Sequence, residues 1–255
     1  MFTLEYSYWF DYMLPGLDAL KIPIPLGGTS NHFKFDKLME LGGWDPFNVT
    51  EDADLGIRAY AKGYKVSVLN STTFEEANNQ FYNWIRQRSR WIKGYMQTYL
   101  VHMRYPIQLV RTIGWAGFFG FQFFIGGTFF TFLMYPILLF FFLSFVLLGL
   151  DFNSLWVEEL NAGLLNFSSL IFPDWVVVLS IFNFLAGNLL MIYVNMIAVF
   201  RRRSYRIILF ALANPVYWLM HSYAAYKGLF QLISKPFYWE KTNHGLTKAD
   251  KSQLK

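Results

Sequence analysis

The chain has 255 residues, of which 55% are hydrophobic, 21% aromatic and only 15% charged, and its mean hydropathy of +0.27 is too apolar for an ordinary soluble domain of this length. With no cysteine, disulfides, thiolate metal sites and cysteine nucleophiles are all excluded. The net charge of +5 comes from basic residues clustered beside apolar segments, which points to lipid head groups or a nucleotide diphosphate rather than to nucleic acid.

In chain order, the first residues read as a helix with an apolar face from Tyr8-Trp9-Phe10 to Leu14, closed by Pro15-Gly16. Glu5 and Asp11 interrupt that run, which argues against a signal peptide. Lys21 to Leu26 is extended, because Pro23 and Pro25 bias their predecessors away from helix. It delivers the loop Gly27-Gly28-Thr29-Ser30-Asn31-His32, whose glycines suit either a tight turn or close approach of a ligand to backbone. His32 reads as a hydrogen-bonding loop residue, since no second histidine or cysteine stands at ligand spacing.

Phe35 to Leu41 forms a short helix stopped by Gly42-Gly43. The next helix starts at Thr50-Glu51-Asp52, where Thr50 can cap free amides and the two carboxylates meet the positive end of the helix dipole. Taken alone this is a helix start. The helix runs through Lys62 with Gly63 as its stop, and Tyr64 to Leu69 alternates as a strand does. Asn79 to about Met103 is helical again and carries Gln87, Arg90 and Trp91 at i, i+3 and i+4, hence on one face. Its other cations, Arg86, Arg88 and Lys93, interleave with aromatic residues and suit a membrane surface.

Thr-Glu-Asp followed by Gln-x-x-Arg-Trp resembles the membrane-embedded processive glycosyltransferases of family 2, the cellulose, chitin and hyaluronan synthases. The resemblance implies that Asp52, within Thr50-Glu51-Asp52, is the general base on an acceptor hydroxyl. Gln87 and Arg90 would face the diphosphate or the acceptor sugar, and Trp91 would stack on the glycan. Residue chemistry agrees: a sugar hydroxyl needs a carboxylate to take its proton, a departing diphosphate needs fixed positive charge, and a pyranose has an apolar face that suits an indole. The Gly28-Thr29-Ser30 loop resembles the family's Gly-Thr element beneath the acceptor sugar. The implied fold is α/β, the acceptor half of a GT-A-type domain whose mixed sheet carries helices on both faces, followed by interfacial and transmembrane helices.

The uncharged run Ile113 to Leu150 exceeds one span of about 20 residues. A break at Gly126-Gly127 would leave an amphipathic or re-entrant helix up to Phe124 and a span from about Thr128 to Leu150. A polar loop with Glu158 and Glu159 leads to a second span, about Trp175 to Phe200, stopped by Arg201-Arg202-Arg203. By the bias of arginine-rich loops this end lies in the cytoplasm, and the catalytic part with it. Pro215 is expected to break the segment Tyr205 to Ile233, which then re-enters or leaves as an interfacial helix, its lysine-rich tail remaining cytoplasmic. That tail, Tyr238 to Gly245, resembles the family's gating segment through Trp239, Lys241 and Thr242, or serves as an interfacial Trp anchor.

The resulting division is a partial catalytic domain over 1–78, interfacial helices over 79–126, a transmembrane region of two to three spans over 127–234, and a cytoplasmic tail over 235–255. The expected protein is a multi-pass inner-membrane glycosyltransferase that moves sugar from a nucleotide donor to a polysaccharide or membrane glycan with inversion. A non-catalytic membrane subunit or conduit is the alternative, and a small transporter is disfavoured because no charged pair lies mid-span. Relatives hold Mg²⁺ or Mn²⁺ through an Asp-x-Asp upstream of the Gly-Thr loop. None precedes Asn31 here, so no metal ligand is assigned and the donor half is expected in a missing N-terminal part or a second chain. The chain by itself is then expected not to transfer sugar.

Overall fold

The computed structural model describes residues 1–28, 30–149 and 174–243. Thr29, the loop with Glu158 and Glu159, and His244-Gly245 lie outside the described residues. The first helix is α1, Phe2–Tyr8, which passes through a π-helical turn, Trp9–Met13, into α2, Leu14–Ala19. Pro15-Gly16 therefore does not end it. The wider turn just before Pro15 places the proline in the first turn of α2, where its missing N–H leaves no helical bond unmade.

Next come α3, Phe35–Glu40, and α4, Glu51–Ala61, and each stops at a glycine of positive φ, Gly42 and Gly63. Between α4 and α5, residues 64–80 form neither helix nor strand. Tyr64, Val66 and Val68 turn inward onto Leu41, Leu55 and Leu14 while Lys65, Ser67 and Leu69 face out, the alternation of a strand. Yet no strand is formed among the described residues. Val66 and Val68 share a cluster with Ile22, Ile24 and Leu26, a segment that cannot donate at Pro23 and Pro25, and Val68 N–H instead donates to Asp18 Oδ2 at 3.0 Å. The described fold is therefore helical, and the expected sheet is not present in it.

The long helix α5, Phe81–His102, is the spine. Trp84, Ile85, Ile92 and Met96 of α5 pack against Tyr217, Ala224 and Ala225 of α9, Asn214–Ser234, with Phe129, Phe132 and Leu133 beside them. After α5 come α6, Pro106–Phe121, a π-helical turn, Gln122–Gly126, and α7, Gly127–Gly149. The π turn falls at the expected break, but the sharper interruption is Gly114, at φ 70° and ψ 171°, a conformation open essentially to glycine alone. Helix α8, Asp174–Arg201, is followed by a 3-10 helix, Tyr205–Ala213, that leads directly into α9. Pro215 starts that helix instead of breaking it, because in the first turn its absent N–H is unneeded. Among the described residues, three helical stretches, Pro106–Phe140, Val178–Arg201 and Tyr205–Ser234, are long and apolar enough to cross a membrane.

Candidate active site

The Thr50-Glu51-Asp52 turn is built by α5 rather than by its own helix. Thr50 makes no side-chain cap: its N–H donates to Asn48 Oδ1 at 3.0 Å, and its hydroxyl lies 3.4 Å from the same oxygen. Asn48 in turn donates to Thr98 Oγ1 at 2.8 Å, and Val49 N–H donates to Gln97 Oε1 at 3.1 Å. The expected capping role thus gives way to a turn pinned on α5. Gly94 makes this approach possible, since a Cβ there would lie 2.1 Å from Thr50 Oγ1.

Within α4, Asp52 and Asp54 have opposite surroundings. Asp54 is 4% exposed, accepts from Arg58 Nε at 2.7 Å through Oδ2, and lies 2.9 Å from His102 Nε2 through Oδ1. Arg58 also donates to the carbonyls of Leu41 and Gly43, at 2.7 and 2.8 Å. Burial alone would raise the Asp54 pKa, but the His102 and Arg58 contacts outweigh it and hold the carboxyl below its usual range. Asp52 accepts from the Ala53 amide, at 3.0 Å, and no side-chain partner is found for it among the described residues. Burial, reinforced by the Glu51 charge, holds its pKa above the usual range against the pull of that amide and of Arg90. Gly28 lies against it, where a Cβ would stand 3.0 Å from Asp52 Oδ2.

On α5, Arg90 donates to the Glu240 carbonyl at 3.0 Å, and its guanidinium lies 4.2 Å from the centre of the Trp239 ring. Burial lowers its pKa, opposed by the charges of Glu51, Asp52 and Glu240. Glu240 is the anchor of the tail: its carboxylate takes Lys227 at 2.8 Å, Gln231 at 3.0 Å and Ser89 at 3.4 Å, with Arg86 Nε 3.9 Å away. Lys241 is exposed, and Thr242 is buried.

The structure thus gathers Gly28, Glu51, Asp52, Arg90 and Trp239 at one place. Other expected site residues are engaged elsewhere. Ser30 Oγ pairs with Thr73 Oγ1 at 2.7 Å, and its carbonyl lies 3.0 Å from His32 Nδ1. Gln87 accepts from Asn78 at 2.9 Å, and Trp91 packs its ring 4.6 Å from the Arg88 guanidinium. Gln87, Arg90 and Trp91 thus each have a different protein partner along the helix. Arg88 and Lys93, expected at lipid phosphates, are 4% and 0% exposed. Glu5 explains the first: Arg88 donates to both its oxygens, at 2.5 and 2.7 Å, between the rings of Phe2, Trp84 and Trp91. Tyr238 explains the second, its carbonyl accepting from Lys93 at 2.6 Å.

A family model described as "Glycosyl transferase family group 2" matches residues 13–221. The chain belongs to that family. Among curated proteins it is similar to a probable glycosyltransferase YdaM of Bacillus subtilis, 35% identical over 68 residues, which are 26% of this chain and 16% of that protein. It is also similar to a beta-monoglucosyldiacylglycerol synthase of Synechocystis, 32% identical over 92 residues, 35% of this chain and 19% of that protein. A probable glycosyltransferase of Sulfolobus acidocaldarius is 26% identical over 96 residues, 38% of this chain and 21% of that protein. The matches thus span a fifth or less of two of these relatives and 21% of the third. No solved structure matches the chain.

For a family 2 glycosyltransferase, the Asp52-Ala53-Asp54 triplet invites a metal. The donor set does not fit one, because both Asp54 oxygens already face Arg58 and His102, and among the described residues no group of three or more metal-ligating side chains converges. Three residues of the site escaped sequence reasoning: Gly94, Lys93 and Gln97. A signal for two of them existed, since Lys93 and Gln97 stand three and seven residues beyond Arg90, on its face of the helix.

Proposed function

We propose that the chain carries the acceptor-side and membrane part of a glycosyltransferase that extends a polysaccharide or membrane glycan from a nucleotide sugar with inversion. The observation that carries this reading is the contrast at Asp52: a half-buried carboxylate, bonded to one amide and bordered by a glycine, within reach of the charge of Arg90. A carboxylate so weakly solvated holds a proton more readily than an exposed one, which suits a group that must accept a hydroxyl proton during attack. As that hydroxyl attacks the anomeric carbon, the diphosphate leaves with the glycosidic electron pair. Arg90 supplies a guanidinium near the developing charge. Gly28, with Thr29 and Ser30 in its loop, is proposed to floor the acceptor sugar. Gln87 borders the diphosphate or acceptor, and Trp91 is proposed to stack on the glycan.

In the same proposal Trp239, Lys241 and Thr242 form the gating segment, and the catalytic side faces the cytoplasm, where Arg201-Arg202-Arg203 ends α8. Mg²⁺ or Mn²⁺ and the donor nucleotide are assigned to a part outside these residues, in a longer chain or a second one. The test is Asp52→Asn in membranes that incorporate radiolabelled sugar. Incorporation is expected to fall by about a hundredfold to ten-thousandfold. Incorporation close to wild type would reject the general base and leave the non-catalytic subunit as the better reading.

A further inference from the structure

The tail runs antiparallel to α5, and four side chains of that helix each take one of its carbonyls. Asn83 donates to Asn243 O at 2.9 Å, Arg90 to Glu240 O at 3.0 Å, Lys93 to Tyr238 O at 2.6 Å and Gln97 to Pro236 O at 3.0 Å. Positions 83, 90, 93 and 97 step by seven, three and four residues, which returns each donor to the same helix face. Carbonyls are common to every residue, so this row fixes where the tail lies with little regard to its side chains.

Gln97 differs from the other three. Its Oε1 accepts the Val49 N–H at 3.1 Å while its Nε2 donates to Pro236 O and reaches Phe47 O at 3.5 Å. Val49 immediately precedes Thr50, and the Phe47 and Phe237 rings meet edge to face, 5.5 Å apart, across the same gap. One buried amide therefore joins the tail to the turn that carries Asp52. We infer that Gln97 is a positioning residue that sets the tail, with Trp239 over Arg90, in register with the Thr50-Glu51-Asp52 turn. The importance of that register for sugar transfer rests on the proposed function; the tether itself does not.

The two halves of the amide can be separated chemically. Gln97→Glu keeps an acceptor for Val49 in its ionised form but has nothing to donate to Pro236 or Phe47. Protonated, its hydroxyl donates again, so the carboxylic acid replaces both halves. Burial raises the pKa of such a carboxyl and brings the change into a mild pH range. Gln97→Met removes both halves at every pH.

The experiment is hydrogen exchange read by mass spectrometry on the full chain in detergent micelles, each variant compared with wild type at the same pH. In Gln97→Met, both the 237–243 and the 47–50 amides are expected to exchange about tenfold or more faster at about pH 5 and about pH 8. In Gln97→Glu, only the tail should loosen at about pH 8, and its protection should return toward wild type at about pH 5. A merely structural role would give no such recovery. Tail exchange in Gln97→Glu that matches wild type at both pH values, or that stays fast at both, would overturn the inference. The Gln97→Glu arm decides alone should Gln97→Met fail to fold. Wild-type incorporation by Asp52→Asn would reject the enzyme reading without touching this result.

Discussion

Two pairs of like residues, each pair two positions apart on one helix, have been given opposite environments. In α4, Asp54 has a partner for each oxygen, whereas Asp52 has one backbone amide. In α5, Arg88 holds a carboxylate in a bidentate grip with only its Nε left without a partner, whereas Arg90 forms no ion pair within 4.0 Å among the described residues and leans on a carbonyl and an indole. All four are buried or half-buried, so burial does not distinguish them. The difference lies in whether the protein itself supplies the opposing charge. Where it does, the group braces helices: Arg88 ties α5 to α1, and Tyr217 of α9 donates to the same Glu5 at 2.7 Å. Where it does not, the proposed function leaves the charge for a substrate, with Asp52 and Arg90 as the unfilled half.

The largest expected effect falls on the braced side. Arg88→Met leaves Glu5 charged without its main partner and should cost about 3–5 kcal/mol, read by thermal or denaturant unfolding in micelles. A loss below about 1 kcal/mol, the range of surface pairs, would break the comparison. Smaller in stability but sharper in chemistry is Arg90→Lys. An ammonium can still reach the Glu240 carbonyl, so unfolding should shift by about 1 kcal/mol or less, while sugar incorporation falls because the planar fork is lost. Equal damage to stability in Arg88→Met and Arg90→Lys would show that both arginines are braces.

Much of the frame was legible in the sequence. Gly42 and Gly63 stop α3 and α4 because a left-handed residue is needed there, and the apolar stretch from about Trp175 to Phe200 was visible in the sequence, whereas the stretch read as a span from about Thr128 begins at Pro106. Misreadings arose where a distant partner overrode a local rule. Arg88 and Lys93 look like surface cations until Glu5 and the Tyr238 carbonyl, more than 80 residues away, are brought against them. Pro15 and Pro215 look like breaks, yet each begins a helical segment, and local pattern does not tell a first turn from a middle one. Tyr64 to Leu69 was read as a strand: its alternation of inward and outward residues is present, but no strand forms among the described residues. A ladder also requires a neighbour able to exchange hydrogen bonds, which the pattern of one segment does not contain.

Asp52→Asn and Asp54→Asn, prepared side by side, test the contrast most directly, with unfolding measured against pH and sugar incorporation measured in active membranes. The Asp52 pKa is raised in the folded protein, so its ionised form opposes folding, and the stability due to its protonated form is lost as pH rises past the unfolded value. Asparagine there should leave stability at neutral pH unchanged or higher while incorporation falls by about a hundredfold or more. The Asp54 pKa is lowered, so its contribution is present above the unfolded value and lost as pH falls through the folded one. Asparagine there should cost about 2–3 kcal/mol at neutral pH and flatten the acid side of the stability curve. The account predicts this crossing of the two variants. Loss of stability in Asp52→Asn with incorporation retained would contradict it.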